Sequence, residues 1–565
     1  MGAGSDFATH CGPLGEPAEH LVSSAVTPYV AEEFGADERA VLRRYFTNLD
    51  GPVFALVNLP EVVKGALFAR YSRSAKSLRR LFLDEFVGEL DIAGDVTVDA
   101  TVGLERAEAL YDRVFLEYGD DSVAQLGGVH VACEQASNVL TKVLEWGRLM
   151  SYLEQSTRYI AYDDRLGGRY RYYRDAEILT SRFGARYVGD MDRLFDIYAE
   201  LLPVVSAHFR ELIPKSSSDS DFVYRQATKA KAYDALRGLL PAAALSNVGI
   251  YGTGQGFEAL LLRMRSLPLP EAQDYAALML CELRKVVPSF LKRVDLADRG
   301  VMWSSYLAGN REAIGDVAAK VLGDLVEDPV ADSKVTLVDF DPDGEDKVLA
   351  AMLYSSTSLS EAAIEARVRE LSADDRLALV RAYVGDRTNR RHKPGRALER
   401  TAYRFDILSD YGAFRDLQRH RLLTIEWQDL TPQHGFVRPE AVADAGGMEL
   451  YDEGMAISAA LHDDLVTDFP NQACYAVALA YRIRYSMQMN AREAMHLIEL
   501  RSSPQGHPSY RIVAQDMHHL IADVAGHRAI AEMMTFVDHS EEAELERLDA
   551  ERRVATRRAA VAREG

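Results

Sequence analysis

One pattern occurs twice in this chain and constrains its fold more than any other feature. Each copy has a β-rich run, then a polar residue that can cap a helix, then a helix whose apolar positions recur every three or four residues. The run at 129–133 precedes the candidate cap Ser137, and the run at 403–407 precedes the candidate caps Ser409 and Asp410. A repeated unit of this kind indicates an internal duplication. We therefore expect an α+β fold with two tandem repeats, each a mixed or antiparallel sheet packed with helices.

The boundaries of the repeats follow from the turn sequences between the periodic segments. Acidic turn sequences at 327–329 and 339–344 indicate a connection between the repeats. The predicted division is a lead-in at 1–50, a first repeat at 51–308, a linker at 309–346, a second repeat at 347–538 and a charged helix or tail at 539–565. Charged and aromatic residues alternate over 169–174, which predicts a strand with one solvated face.

Charge and composition limit the classes of ligand. The 565-residue chain has a formal net charge of −21, which argues against broad nucleic-acid binding, and an anionic ligand must be met by a local cluster of arginines. The four cysteines form no C-x-x-C pair, so neither a disulfide framework nor a metal site is expected. No apolar run approaches the ~20 residues that span a bilayer, and no signal peptide is read. We expect a cytoplasmic protein without membrane contact.

The helix of the second copy leads into the triplet Arg419-His420-Arg421. Apolar residues recur at intervals of three upstream of the triplet and would face the core. The cations would then lie at the C-terminal end of the helix, where the macrodipole is negative. The triplet alone is compatible with a solvated basic helix end.

Two further stretches carry polar residues at regular spacing. The stretch 146–159 has Trp146-Gly147 where the second copy has Arg-His. It also contains Arg148, Ser151, Glu154, Gln155, Ser156, Arg158 and Tyr159. The stretch 490–501 begins with Asn490 and Arg492, contains His496 and ends with Arg501, at a spacing that predicts a helix. The first repeat has 254–256, Gly-Gln-Gly, where this helix carries Asn-x-Arg.

Together these stretches resemble the flavin-dependent thymidylate synthases. The signature of that family is Arg-His-Arg-x-x-Ser, then an Asn/Glu pair, then Ser-x-Arg-Tyr, together with an Asn-x-Arg … Leu-Arg helix. The second repeat keeps the Arg-His-Arg part and the Leu-Arg helix, whereas the first keeps Glu-x-Ser-x-Arg-Tyr. The chain therefore resembles two family domains in tandem, each with a different part of the signature.

The resemblance implies a reaction, cofactors and residue roles. The reaction is methylation of dUMP to dTMP by methylenetetrahydrofolate, with reduced FAD and with NADPH as the reductant. The implied nucleotide-binding residues are Glu154, Gln155, Ser156, Arg158, Arg237, Arg419 and Arg501. The implied FAD-binding residues are Arg419, His420, Arg421, Asn490, Arg492 and His496. Arg501 is also the implied catalytic group, since a cation there would polarise the pyrimidine. Arg237 has Cys474 as its counterpart in the second repeat.

The split signature predicts sites composed from both repeats, and fewer sites than repeats. A chain of two repeats that replaces a tetramer of single repeats is expected to form a homodimer. Asp416 stands where the family places a glutamine that contacts the nucleotide, and a carboxylate would repel a phosphate. Two alternatives therefore stay open. One is flavin-dependent C5 modification of another uracil-containing substrate, and the other is a non-catalytic paralogue that binds nucleotide or flavin.

Overall fold

The structure, a computed structural model, describes residues 29–87, 125, 127–216, 219, 221–323, 325 and 334–540. The described strands are β1 (Val53–Leu56), β2 (Gly128–Ser137), β3 (Met150–Glu154), β4 (Leu245–Thr253), β5 (Lys334–Phe340), β6 (Ala402–Asp410), β7 (Thr424–Trp427) and β8 (Arg482–Asn490). They form two four-stranded antiparallel sheets with the orders β1-β2-β4-β3 and β5-β6-β8-β7. The same order in both sheets confirms the predicted duplication and the α+β class.

Helices pack against both sheets. Those described in the first half of the chain are α1 (Ala36–Leu42), α2 (Glu61–Tyr71), α3 (Leu78–Glu85), α4 (Asn138–Leu144), α5 (Ala176–Thr180), α6 (Gly184–Leu212), α7 (Asp221–Leu236), α8 (Gly254–Ser266), α9 (Pro270–Arg284) and α10 (Met302–Leu322). Those in the second half are α11 (Gly344–Tyr354), α12 (Glu361–Arg369), α13 (Ala373–Val384), α14 (Tyr411–Leu417), α15 (Glu440–Asp444), α16 (Met448–Leu465), α17 (Ala491–Arg501), α18 (Pro508–Asp523) and α19 (Arg528–Glu532). None of the described helices is long and apolar enough to cross a bilayer.

The local sequence explains the central strands. In β6, Tyr403, Phe405 and Ile407 are buried while Arg404 is exposed, as expected for a strand with one face on the core. The strand ends where Asp410 caps α14, as Ser137 does for α4 at the end of β2. Of the two caps proposed for the second copy, Asp410 is therefore the one used.

Backbone contacts divide the chain into two compact units, each built from segments distant in sequence. Unit 1 comprises Met1–Asp196, Pro241–Glu327 and Ala460–Ala476, and unit 2 comprises Ile197–Leu240, Asp328–Ala459 and Val477–Gly565. Each unit thus includes a segment from the other repeat of the sequence.

The two exchanged segments occupy matching places in their units. In unit 1, the N–H of Ala243, two residues before β4, donates to the carbonyl of Tyr475 at 3.1 Å. In unit 2, the N–H of Ala480, two residues before β8, donates to the carbonyl of Gly238 at 3.0 Å. The residues just before these two carbonyls, Cys474 and Arg237, are therefore counterparts, as the sequence indicated.

Three local predictions differ from the structure or fall outside it. The predicted linker 309–346 contains β5, which pairs with β6 as an edge strand of the second sheet. The predicted strand at 169–174 is wrong, because Tyr172 and Tyr173 are both buried and the arginine of residue 174 lies 3.8 Å from the Tyr172 ring centre instead of facing water. Residues 1–28 of the lead-in and 541–565 of the tail lie outside the described residues.

Candidate functional site

Two helices of unit 2, α14 and α17, start at side-chain caps and contain or adjoin seven of the twelve predicted site residues. Asp410 ends β6, and its carboxylate accepts a hydrogen bond of 2.9 Å from the first turn of α14. Asn490 ends β8, and its Oδ1 accepts from the N–H of Glu493 at 2.9 Å to start α17. Because α14 ends at Leu417 and Gln418 is its C-cap, the Arg419-His420-Arg421 triplet begins one residue after the helix cap position is reached. Short helices with defined starts hold the triplet beside α17.

His420 is the centre of this contact. It is buried, its Nδ1 lies 3.0 Å from Glu493 Oε1, and its Nε2 lies 3.0 Å from Arg501 Nε. An arginine Nε–H can only donate, so Nε2 of His420 accepts and Nδ1 carries the proton that it donates to Glu493. Burial, followed by the charge of Arg501, holds the pKa of His420 well below its usual value, which agrees with this neutral tautomer. Glu493 and His420 together fix the direction of the Arg501 guanidinium.

Asp416 gathers three arginines. Its Oδ2 lies 3.1 Å from Nη1 of Arg237, and its Oδ1 accepts a hydrogen bond from Arg419 and lies 3.8 Å from Nη1 of Arg501. Asp410 Oδ1 lies 4.0 Å from Nη2 of Arg237. Arg237, Asp410 and Asp416 are all buried. Three of the arginines predicted to bind the nucleotide are therefore brought together within unit 2, around a carboxylate.

Basic residues also lie near His496 and Glu493, the neighbours of His420 on α17. Burial, and then the charges of Lys393 and Arg390, lower the pKa of His496 to about 4, so its imidazole is neutral at pH 7. Burial raises the pKa of Glu493 to about 7 against the opposing charges of Lys393 and Arg421. This side of the site therefore has a positive potential that favours an anionic ligand.

The geometry around His420 also matches one requirement of a metal site. Ligand atoms of His420, Glu493 and His496 all lie within 4.8 Å of one another. His420, however, uses both ring nitrogens in contacts with Glu493 and Arg501, and the neighbouring cations would repel a divalent ion. The expectation that no metal is bound stays a prediction.

The remaining residues assigned to FAD differ in their accessibility. Arg421 is exposed. Arg492 pairs with Glu399 at 3.1 Å and donates from Nε to the carbonyl of Pro394 at 3.2 Å. Asn490 uses its Oδ1 as the helix cap. A structural role is thus visible for Arg492 and Asn490, and their role toward a cofactor stays a prediction.

The first-repeat part of the predicted site lies in unit 1, where two of its side chains face inward. Glu154 is buried and lies 3.2 Å from Nζ of Lys142, which also pairs with buried Glu145 at 2.6 Å. Gln155 is buried and donates from Nε2 to the carbonyl of Ser74 at 2.6 Å. Glu154 and Gln155 therefore anchor this segment to the interior of unit 1 through buried contacts.

The following residues of that segment are more open. Ser156 is partly buried, and its Oγ accepts from the N–H of Arg158 at 3.3 Å. The Arg158 side chain is also partly buried. Because Arg158 belongs to unit 1 and Arg501 to unit 2, their predicted convergence on one cleft stays a prediction.

Strand pairing matches the two units residue by residue. Ser137 pairs with the first residue of β4, as Asp410 does with the first residue of β8. Thr253 and Asn490 are the equivalent caps at the far ends of β4 and β8. The Asn-x-Arg positions therefore correspond to 253–255, and the predicted match to 254–256 is wrong by one residue.

This register shows what unit 1 has in place of the cationic site. Asp416, Arg419, His420, Glu493, His496 and Arg501 of unit 2 correspond to Val143, Trp146, Gly147, Gly256, Ala259 and Met264 of unit 1. At the position of Arg419, the Trp146 ring has the Arg263 guanidinium 4.9 Å from its centre. Every group of the His420 contact is thus replaced by an apolar residue or glycine.

Sequence reasoning missed Glu493 as a site residue and Asp410 as a partner of Arg237. Glu493 stands three residues after the cap Asn490, a spacing typical of residues that support a helix start. Its contact with His420 joins residues 73 positions apart, and no local pattern reports such a contact.

Comparison with known proteins agrees with the division of the sequence into two repeats. The model of the thymidylate synthase complementing protein family matches residues 69–289 and 336–526. A UPF0159 protein of Chlamydia muridarum is 40% identical over 525 residues, covering 92% of this chain and 98% of the relative. A UPF0159 protein of Thermoplasma acidophilum is 32% identical over 502 residues, covering 84% and 95%. Both family segments thus lie in a sequence shared along nearly the whole length of these relatives.

A solved structure is also similar. It is described as a UMP/dUMP methylase, PolB, from Streptomyces cacaoi bound with 5-Br dUMP. It is 17% identical to this chain with a TM-score of 0.29, and the match covers 36% of this chain and 97% of that chain.

Proposed function

This chain belongs to the thymidylate synthase complementing protein family, and from that premise we propose that it methylates dUMP to dTMP with methylenetetrahydrofolate and reduced FAD. The observation that carries the proposal is the contact of His420 with Arg501, beside the arginines around Asp416. Unit 1 has Gly147 and Met264 at the matching positions, so the cationic arrangement is a property of one unit. Family membership supports a thymidylate synthase-like enzyme, and this cluster suggests where its ligand binds.

Arg501 is the residue to which we assign polarisation of the pyrimidine. A guanidinium stays protonated, and placed against a uracil carbonyl it stabilises negative charge that develops on the ring. Its Nε donates to His420 and its Nη1 lies 3.8 Å from Asp416, so these contacts set the direction in which the planar fork faces. His420 and Glu493 act as positioning residues, because they orient Arg501.

The residues present fit an anionic cofactor. Exposed Arg421 and the basic field at His496, to which Lys393 contributes, suit a pyrophosphate. We assign Arg419, His420, Arg421, Asn490, Arg492 and His496 to FAD, with NADPH as its reductant. A bound reduced flavin would supply the reducing equivalents for methyl transfer.

We further propose that Glu154, Gln155, Ser156 and Arg158 complete the nucleotide site. Ser156 and Arg158 are the partly buried members of that segment, and their polar side chains suit direct contact with a ligand. Glu154 and Gln155 would support them through Lys142 and the Ser74 carbonyl. Because each repeat supplies only one part of the site, two repeats together would form one nucleotide site.

We also propose a homodimer. No residue of α10 is buried, and Trp303, Tyr306, Ile314, Val317 and Val321 on this helix are all more than half exposed. These residues recur at helical spacing, so they form one apolar stripe. The charged residues of α10, Arg311, Glu312, Asp316 and Lys320, sum to zero in a chain of net charge −21. A second copy would therefore meet no net repulsion at this helix and could cover the stripe with its own.

The test of the function is an assay on the full chain. Purified protein is supplied with FAD, NADPH, methylenetetrahydrofolate and dUMP, and dTMP is measured by chromatography. We expect a flavin absorbance band and dTMP that depends on all four additions. Flavin binding with no dTMP would favour the second candidate, C5 modification of another uracil-containing substrate. Failure to bind either flavin or nucleotide would contradict the proposal. Light scattering with the doubly substituted variant Ile314→Asp/Val317→Asp, expected to be monomeric, tests the dimer.

A further inference from the structure

The arginine cluster of unit 2 already contains an anion. Both oxygens of Asp416 face guanidiniums, one toward Arg237 at 3.1 Å and the other toward Arg419 and toward Arg501 at 3.8 Å. Arginines arranged around two oxygens of one group are typical of carboxylate and phosphate recognition. Asp416 therefore occupies the place that the charges of the cluster would offer to a phosphate.

Arg237 is closed off by its own unit. Its side chain is 4% exposed. A Cβ added at Gly412 would lie 2.9 Å from Asp410 Oδ1 and 3.0 Å from Arg237 Nε, so the backbone there already lies close to the guanidinium. Three guanidiniums and two carboxylates, Asp410 and Asp416, leave one net positive charge in the cluster. A phosphate dianion would thus meet one net positive charge and a competing carboxylate.

At the matching positions, unit 1 lacks both the carboxylate of Asp416 and the guanidiniums of Arg419 and Arg501. Val143 stands at the position of Asp416, and there the neighbouring positions hold Trp146 and Met264 instead of Arg419 and Arg501. A buried carboxylate without cations would be costly, and so would buried arginines without a carboxylate. The anion and its cations therefore form one arrangement, present in unit 2 and absent from the described part of unit 1 at these positions.

We propose that Asp416 is a resident anion that lowers the contribution of the phosphate, so that the site recognises its substrate mainly by the uracil nucleoside. This inference rests on the proposed function. A carboxylate that satisfies the arginines in the free protein must be displaced before a phosphate gains their full interaction. The substrate class is therefore the uracil deoxynucleoside, with its phosphate as a minor determinant.

The experiment compares dUMP, 2′-deoxyuridine and inorganic phosphate in equilibrium binding to the full-length protein. Charge-assisted hydrogen bonds from Arg237 and Arg419 would otherwise favour dUMP over deoxyuridine by roughly 10³-fold. For the wild type we expect dUMP to bind no more than about tenfold tighter than deoxyuridine. In Asp416→Asn and Asp416→Gln the ratio should rise at least about tenfold, through tighter dUMP binding. Asp444→Asn, which removes an exposed charge from unit 2, should leave the ratio unchanged.

Each outcome decides the proposal. A wild-type preference for dUMP near 10³-fold would overturn it, even if both Asp416 variants fail to fold. Weaker dUMP binding, or an unchanged ratio, in folded variants would mean that Asp416 positions the arginines for the phosphate. If neither dUMP nor deoxyuridine binds, the proposed function fails. The binding of inorganic phosphate to wild type and to the Asp416 variants then still tests the role of Asp416 as a resident anion. Tighter phosphate binding by the variants than by wild type supports the resident anion, and equal binding contradicts it.

Discussion

Units 1 and 2 have the same sheet order and the same capped helix after the second strand, yet their buried charges differ in kind. In unit 1, Lys142 lies between Glu145 and Glu154, so one cation is shared by two acids. In unit 2, Asp416 lies among three arginines, so one acid is shared by three cations. Duplicated scaffolds can thus keep their backbone while the buried charged groups near the capped helix differ, since Asp416 has Val143 as its counterpart. Only the cationic version suits an anionic ligand.

The largest effect is expected at Lys142 of unit 1, which two buried acids share. Lys142→Met would remove the cation that lies 2.6 Å from buried Glu145 and 3.2 Å from buried Glu154, and the loss of one partner of a buried ion pair should cost about 3–5 kcal/mol of stability. The measurement is the urea midpoint of unfolding. Lys76→Met, which breaks an exposed pair with Asp84, is the control and should cost less than about 1 kcal/mol. Equal effects of the two substitutions would contradict a structural role for the Lys142 cluster.

The next effect sharpens the comparison at Arg501 and its counterpart Met264. Arg501→Lys keeps the charge but loses the Nε contact with His420 and the planar fork, so kcat for dTMP formation should fall about 10²–10³-fold. Met264→Leu should leave kcat unchanged within about twofold, since it is a volume-conserving change in unit 1. Thermal unfolding checks that both variants fold. Comparable losses of kcat would show that the two units contribute alike.

A pH effect tests the buried acid beside the helix cap Ser137 of unit 1. In unit 1, Glu271 accepts hydrogen bonds from Ser137 and Tyr475, and burial raises its pKa to about 7. The folded protein then binds the proton more tightly than the unfolded chain. This contribution to stability should be fully present below the usual glutamate pKa and be lost as pH rises through about 7, by about 3–4 kcal/mol.

The check is the urea midpoint between pH 5 and 8 for wild type and Glu271→Gln. The variant should lose most of this pH slope. In unit 2 the acid at the cap is Asp410, and burial also raises its pKa, so a smaller slope of the same sign should remain in Glu271→Gln. An unchanged slope in Glu271→Gln would contradict the pKa assignment.

The smallest effect distinguishes cap from cofactor ligand at Asn490. The equivalent residue Thr253 caps α8 by accepting from the N–H of Gly256 at 3.2 Å. Asn490→Thr should therefore retain helix stability within about 0.5 kcal/mol. If Asn490 also contacts FAD, the variant should bind flavin several-fold more weakly, which absorbance titration measures. Unchanged flavin affinity would reduce Asn490 to a cap, the role of Thr253 in unit 1.

The features that could be predicted from sequence are those set by neighbouring residues. The alternation in 403–407, the cap Ser137 and the helix at 491–501 all follow from local spacing, and the structure confirms them. The Arg237–Asp416 pair joins residues 179 positions apart, and the contact depends on how the fold places 237–240 beside β8. Strand β5 was missed because its acidic turn residues resemble a linker, while its pairing with β6 supplies the strand. Asp416 was recognised as a departure, but the number of arginines that it contacts requires tertiary structure.

The central claim is that unit 2 alone carries the cofactor-binding cations. The most direct test is the stoichiometry of FAD bound to the purified 565-residue chain, by equilibrium dialysis with absorbance detection. One flavin per chain is the predicted result, because unit 1 has Trp146, Gly147 and Met264 at the matching positions. The same titration on His420→Gly, which gives unit 2 the residue of unit 1, should reduce binding strongly. Two flavins per chain, or none, would contradict the account.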